Sequence, residues 1–143
     1  MSDNKFTEAE AILYDYKNIS GKINILKLKL DKINNAKTDD LLSAVDYSRD
    51  SISPTNAFSS SVENVVVKKS ELEDNIKELK YRKELVESVL DILDDTDRNL
   101  IEYRYFSKPK KSWYEVAAKM GMTVDNCIKK RRTIIDNIKI YLT

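Results

Sequence analysis

Apolar residues recur by threes and fours from the start of the chain. Ala9, Ile12, Tyr16, Ile19, Ile23, Leu26, Leu30 and Ile33 keep that spacing, which stacks them on one side of a helix as a coiled-coil-like seam. Thr7 followed by Glu10 reads as the capping box that opens it, and Gly21 interrupts it without breaking the register. A second run, Val62, Val65, Leu72, Ile76, Leu79, Val86, Leu90 and Leu93, lies on one heptad seam with Lys69 and Lys83 at core-type positions, and Ser60 with Glu63 reads as its capping box. Between the two the periodicity fades. A short helix is expected around Leu41 to Tyr47, and the serines with Pro54 make residues 48–61 a Ser/Pro-containing linker. Helices this polar on their other faces must bury the seam, so they pair as an antiparallel hairpin, across a homodimer, or both.

The pattern changes after residue 93. The run Asp94, Asp95, Thr96, Asp97 predicts a helix end followed at once by a helix start, with Thr96 or Asp95 as cap. Residues 112–135 then predict a short helix, a three-residue turn and a second, more basic helix, which is the plan of a helix-turn-helix. Ser112 and Glu115 form a capping box; Val116, Ala117 and Met120 face inward; Gly121 suits the left-handed turn position; Met122 plugs the turn; and Thr123 caps the second helix from Val124. Cys127, Ile134 and Ile138 recur at inward spacing, which makes Cys127 a small buried hydrophobe, and Trp113 and Tyr114 read as packing residues.

The residues left outward are those that duplex DNA would meet. Thr123, Val124, Asp125, Asn126, Lys129 and Thr133 are the base-reading candidates, because the first turns of the second helix enter the major groove, where Asn suits adenine and Lys suits guanine. Lys110, Lys111, Ser112, Lys130 and Arg132 are the phosphate candidates.

Composition supports this reading. Two Gly and two Pro in 143 residues, with 34% charged and 41% hydrophobic residues, describe an all-α chain: long N-terminal helices over 1–93 and a C-terminal helix-turn-helix domain over 94–143. The net charge of +1 hides a segregation, since residues 104–143 hold ten Lys/Arg against three Asp/Glu while residues 62–103 hold seven against twelve. A basic terminal segment is the electrostatic footprint of phosphate binding. With no His and Cys127 as the sole Cys, neither a Cys/His zinc site nor a disulfide framework can be built within the chain, and no cofactor is expected. No leader pattern or bilayer-length apolar run is visible, so a cytoplasmic protein without membrane contact is expected.

Leu93, Asp97, Arg98, Leu100, Ile101, Tyr103, Arg104, Tyr105 and Phe106, followed by a loop and the two-helix motif, resemble sigma factor region 4 over about fifty residues. The order of an N-terminal helix, a Ser/Pro-containing middle, a long charged helix and this end resembles phage-encoded late-gene activators of the RinA and ArpU type. That resemblance implies a regulator of phage or mobile-element genes that binds promoter DNA and contacts RNA polymerase through Tyr103, Arg104, Tyr105 and Phe106. The chain departs from many region 4 sequences in placing Val124, Asp125 and Asn126 after Thr123, so base preference does not transfer. No match to sigma region 2 is visible upstream.

Two other classes remain open at this point. A phage DNA-packaging recognition subunit, of the small-terminase kind, also joins such a motif to oligomerising helices, and ring-shaped oligomers would mark it. A protein-interaction module without DNA affinity would place the basic helix against an acidic protein, and nucleic-acid-free pull-downs would mark that. An enzyme is the weakest reading, because no histidine base and no Gly-rich phosphate loop occur, and capping explains the acidic pairs.

Overall fold

A computed structural model describes residues 3–35 and 54–143, with side chains over 4–35 and 62–143. Among these residues the chain is all-helical: α1 (Asp3–Asn35), α2 (Pro54–Asp91), α3 (Asp95–Tyr105), α4 (Trp113–Met120) and α5 (Val124–Leu142). None of the described helices is long and apolar enough to cross a membrane. The expected short helix at 41–47 lies outside the described residues, as does the linker up to residue 53. From Pro54 onward the linker expectation is corrected, because this stretch is the start of α2, with proline at a first-turn position where its missing N–H costs nothing.

Both N-terminal capping boxes are corrected too. Thr7 lies a full turn inside α1 and Ser60 lies inside α2, so neither is a cap. The S/T-x-x-E pattern is compatible with a helix interior, where its glutamate is free for other partners. Glu10 accepts from Tyr105 and Arg131 instead.

The chain divides into two compact units, Met1–Ser20 with Lys80–Thr143 and Gly21–Leu79, a partition different from the expected boundary at residue 93. The seams explain the difference. In the first unit Ala9 and Leu13 of α1 and Val86, Val89 and Leu90 of α2 join one core with Leu100, Ile101, Tyr105, Val116, Ala117, Cys127, Ile134, Ile135, Ile138 and Leu142. The start of α1 and the end of α2 therefore share the core of the C-terminal helices instead of belonging to a separate N-terminal region. Tyr16 of α1 donates to Glu87 Oε2 of α2 at 2.7 Å on the edge of this packing.

Of the second unit, Ile23, Leu72 and Ile76 are buried. Val62, expected on the seam, is instead exposed, as are Val66 and Val67. Gly21 is exposed in a helix interior, and a Cβ added there meets nothing within 4 Å. Gly21→Ala is therefore expected to raise the unfolding free energy by about 1 kcal/mol, read from the urea midpoint, because only backbone freedom is removed.

Burial and the bond to Glu87 push the Tyr16 phenol from 10.0 up to about 12. Folding thus favours the protonated phenol, and the stability it contributes is complete below pH 10 and is lost as pH rises from about 10 through about 12. An alkaline titration followed by tyrosinate absorbance should contain a late component that Tyr16→Phe removes.

Candidate nucleic-acid interface

α2 is closed by short backbone bonds, Ile92 N to Val89 O at 3.2 Å and Leu93 N to Leu90 O at 3.1 Å, and by Arg98, whose Nε donates to Leu90 O at 3.3 Å. α3 opens on Asp94, not on Thr96 or Asp95: Asp94 is extended (φ −72°, ψ 171°) and its Oδ1 accepts from Asp97 N at 2.8 Å. Asp95 and Asp97 follow in the first turn, where negative charge suits the helix dipole.

α4 has the expected capping box. Ser112 Oγ accepts from Glu115 N at 3.2 Å, and Glu115 Oε1 accepts from Ser112 N at 3.4 Å. Val116 and Ala117 are buried, and the small side chain at 117 lets the next helix approach closely. The helix stops at Gly121, with φ 66° and ψ 34°, a left-handed conformation that glycine adopts at least cost. Met122 N then bonds back to Ala117 O at 3.1 Å, and the Met122 side chain packs against the core. Thr123 Oγ1 accepts from Asn126 N at 3.1 Å and starts α5.

α5 buries Cys127, Ile134, Ile135, Ile138 and Leu142. Burial also pushes the Cys127 thiol up, which suits an inert packing group. On the opposite side Asp125, Asn126, Lys129, Arg132 and Thr133 form an exposed stripe starting in the first turn.

The remaining expected site residues fall elsewhere. Val124 is half-buried against the core, so it is a packing residue as much as a surface one. The hydroxyl of Thr123 is engaged as the cap, and that of Thr133 donates to Lys129 O at 3.2 Å. Lys130 is not a free phosphate ligand: its Nζ lies 2.9 Å from Asp97 Oδ1 on α3, and Asp97 holds its ammonium above the ordinary lysine value. Lys110 is exposed with its Nζ 4.8 Å from the centre of the Tyr14 ring; Lys111 is half-buried, and its carbonyl accepts from Arg104 Nη1 at 2.7 Å.

Tyr103 to Phe106 is turned to internal use, which corrects the expectation of a polymerase-facing surface at Tyr105. Tyr105 is wholly buried, its ring edge-on to Tyr14 at 4.6 Å and its hydroxyl donating to Glu10 Oε2 at 2.6 Å. Burial and that bond hold its phenol far above the ordinary range. Phe106 stacks on Tyr16 at 4.6 Å, Arg104 lies 4.3 Å over the ring of Trp113, and Tyr103 is half-buried with its carbonyl accepting from Ser107 Oγ. Tyr114, expected to pack, is 80% exposed beside the α4 cap.

Sequence reasoning passed over Arg131. It sits at an inward position of α5, four residues after Cys127 and three before Ile134, where a charge demands a partner. Its Nη1 donates to Glu10 Oε2 at 2.8 Å, and its guanidinium lies 5.4 Å over both Phe6 and Trp113. An inward arginine was the available signal, though it could not name the partner.

No curated protein and no solved structure matches the chain. A protein family described as "Protein of unknown function (DUF722)" matches residues 5–140, a span that takes in most of α1, all of α2 to α4 and most of α5. The chain therefore belongs to the DUF722 family.

Proposed function

We propose that this protein is a sequence-specific DNA-binding transcription regulator, reading duplex DNA with α5 as the second helix of a sigma region 4-like helix-turn-helix. The observation that carries the reading is the exposed stripe Asp125, Asn126, Lys129, Arg132 and Thr133, which begins in the first turn after the Gly121 turn on a helix whose other face is core. That combination leaves the side chains of Asp125, Asn126 and Lys129 free in the first two turns, the part of such a helix that fits a major groove. The basic excess of residues 104–143 supplies attraction to phosphates over a longer range. The resemblance to late-gene activators supports phage or mobile-element genes as the target, and with it a contact to RNA polymerase, to which Tyr105 has no surface to offer. Exposed Val62, Val66 and Val67 on α2, with Ile25 and Leu28 on α1, support self-association through the long helices.

The test is selection of binding duplexes from a random-sequence pool, followed by titration of the selected and a scrambled duplex at two salt concentrations. The Lys129/Arg132 double alanine variant, which spares the Lys130–Asp97 pair, runs alongside. Salt-dependent preference for the selected duplex, lost in the variant, is expected. Absence of any selected sequence would transfer the reading to a protein-interaction module.

A further inference from the structure

A carboxylate of the N-terminal helix meets a guanidinium of α5. Glu10 Oε2 accepts two hydrogen bonds, from Tyr105 Oη at 2.6 Å and from Arg131 Nη1 at 2.8 Å. The Glu10 and Arg131 side chains are 22% and 18% exposed, so the pair is shielded from most of the screening that weakens surface ion pairs. Phe6, one turn before Glu10, lies under the same guanidinium, and Trp113 of α4 lies under it and under Arg104. The Nε atoms of Arg104 and Arg131 are buried without a hydrogen-bond acceptor, and both guanidiniums lie over the Trp113 ring. One carboxylate from α1 thus joins α3 through Tyr105 to α5 through Arg131, and Trp113 brings α4 into the same cluster.

Arg131 lies between Lys130 and Arg132 near the middle of α5, two residues beyond Lys129 of the exposed stripe. Rotation of α5 about its axis moves Asn126 and Lys129 with Arg131, because a helix is stiff over two turns. We propose that Glu10 is a positioning residue for the DNA-reading face, setting the rotation of α5 through Arg131 so that the N-terminal helix controls sequence discrimination without touching DNA. This rests on the DNA-binding reading above for its consequence, but not for its geometry. Apolar packing of Cys127, Ile134 and Ile138 resists separation of the helices without fixing a direction, whereas a charge-assisted hydrogen bond from Arg131 to a carboxylate oxygen that Tyr105 also holds is directional.

Trp113 is the sole tryptophan of the chain, which gives the test a readout independent of DNA. Full-length wild type, Glu10→Gln, Glu10→Ala and Ile76→Ala are compared, the last being a core truncation in the unit Gly21–Leu79 that leaves the cluster intact. Expected is a shift of Trp113 emission in Glu10→Ala, with amide exchange over residues 124–132 faster by about tenfold, a smaller change in Glu10→Gln, and none in Ile76→Ala. Unchanged exchange in both Glu10 variants, or an equal rise in Ile76→Ala, overturns the proposal.

The second arm uses the duplex selected by the wild type and its scrambled control. Preference between them is expected to fall roughly tenfold in Glu10→Ala with affinity for the scrambled duplex unchanged. Undiminished preference despite faster exchange also overturns the proposal. If the wild type selects no duplex, the DNA-binding reading fails and the control of discrimination falls with it, while the exchange arm still decides whether Glu10 positions α5.

Discussion

Tyr105→Ala is expected to lower the unfolding free energy by about 4 kcal/mol, measured from urea denaturation, with Tyr105→Phe costing about 2 kcal/mol. The ring is wholly buried and meets Tyr14 edge-on, so truncation removes apolar burial and leaves a cavity between α1 and α3. Loss of the hydroxyl alone strips the partly buried Glu10 carboxylate of one of two donors while Arg131 remains, which explains the smaller cost. A residue displayed for a polymerase would behave differently, since truncation of a surface side chain falls within about 0.5 kcal/mol. A loss that small in Tyr105→Ala would return the segment to the surface role that the resemblance implies.

The other large effect concerns the exposed stripe of α5. Asn126→Ala and Lys129→Ala are each expected to weaken the selected duplex by between about tenfold and a hundredfold, the range for loss of a base-edge contact, with little change on the scrambled duplex. Arg132→Ala is expected to weaken both duplexes alike and to reduce the slope of log affinity against log salt by about 0.9, the signature of one phosphate contact. Lys130→Ala is the contrast. Its ammonium is paired with Asp97, so its removal should show first as a lowered urea midpoint and only secondarily in the salt slope. If Lys130→Ala instead matched Arg132→Ala in salt slope at unchanged stability, the pairing with Asp97 would not persist on DNA.

Lys130 and Arg132 illustrate how far side-chain roles were legible from sequence. Both were expected to meet phosphates, and helical spacing turns Arg132 away from Ile134 and Ile138 but sets Lys130 one turn before Ile134, on the flank of the inward face. Spacing has no means of showing that α3 lies beside position 130 with Asp97 in its first turn. Arg131 was hidden for the same reason. Its inward position was readable, but its partner Glu10 stands 121 residues away and had a plausible local use as a capping glutamate. The α1 seam was largely legible: its eight apolar positions are all buried or half-buried, although Leu13, as buried as any of them, escaped the strict spacing.

The local features of the C-terminal segment were legible from its residues alone: the Ser112–Glu115 capping box, the left-handed Gly121, the Thr123 cap and the inward Cys127, Ile134 and Ile138. Each is an interaction between residues within a few positions, or a periodicity along one helix, so the chain carries it without reference to distant parts. Long-range packing alone reveals that the start of α1 and the end of α2 belong to the C-terminal core. The same packing gives Tyr105, Lys130 and Arg131 internal partners and leaves Asn126, Lys129 and Arg132 exposed. The reason is that burial and charge pairing depend on which surfaces meet across long stretches of chain, and the same basic helix presents a different set of free cations against every neighbour it might have.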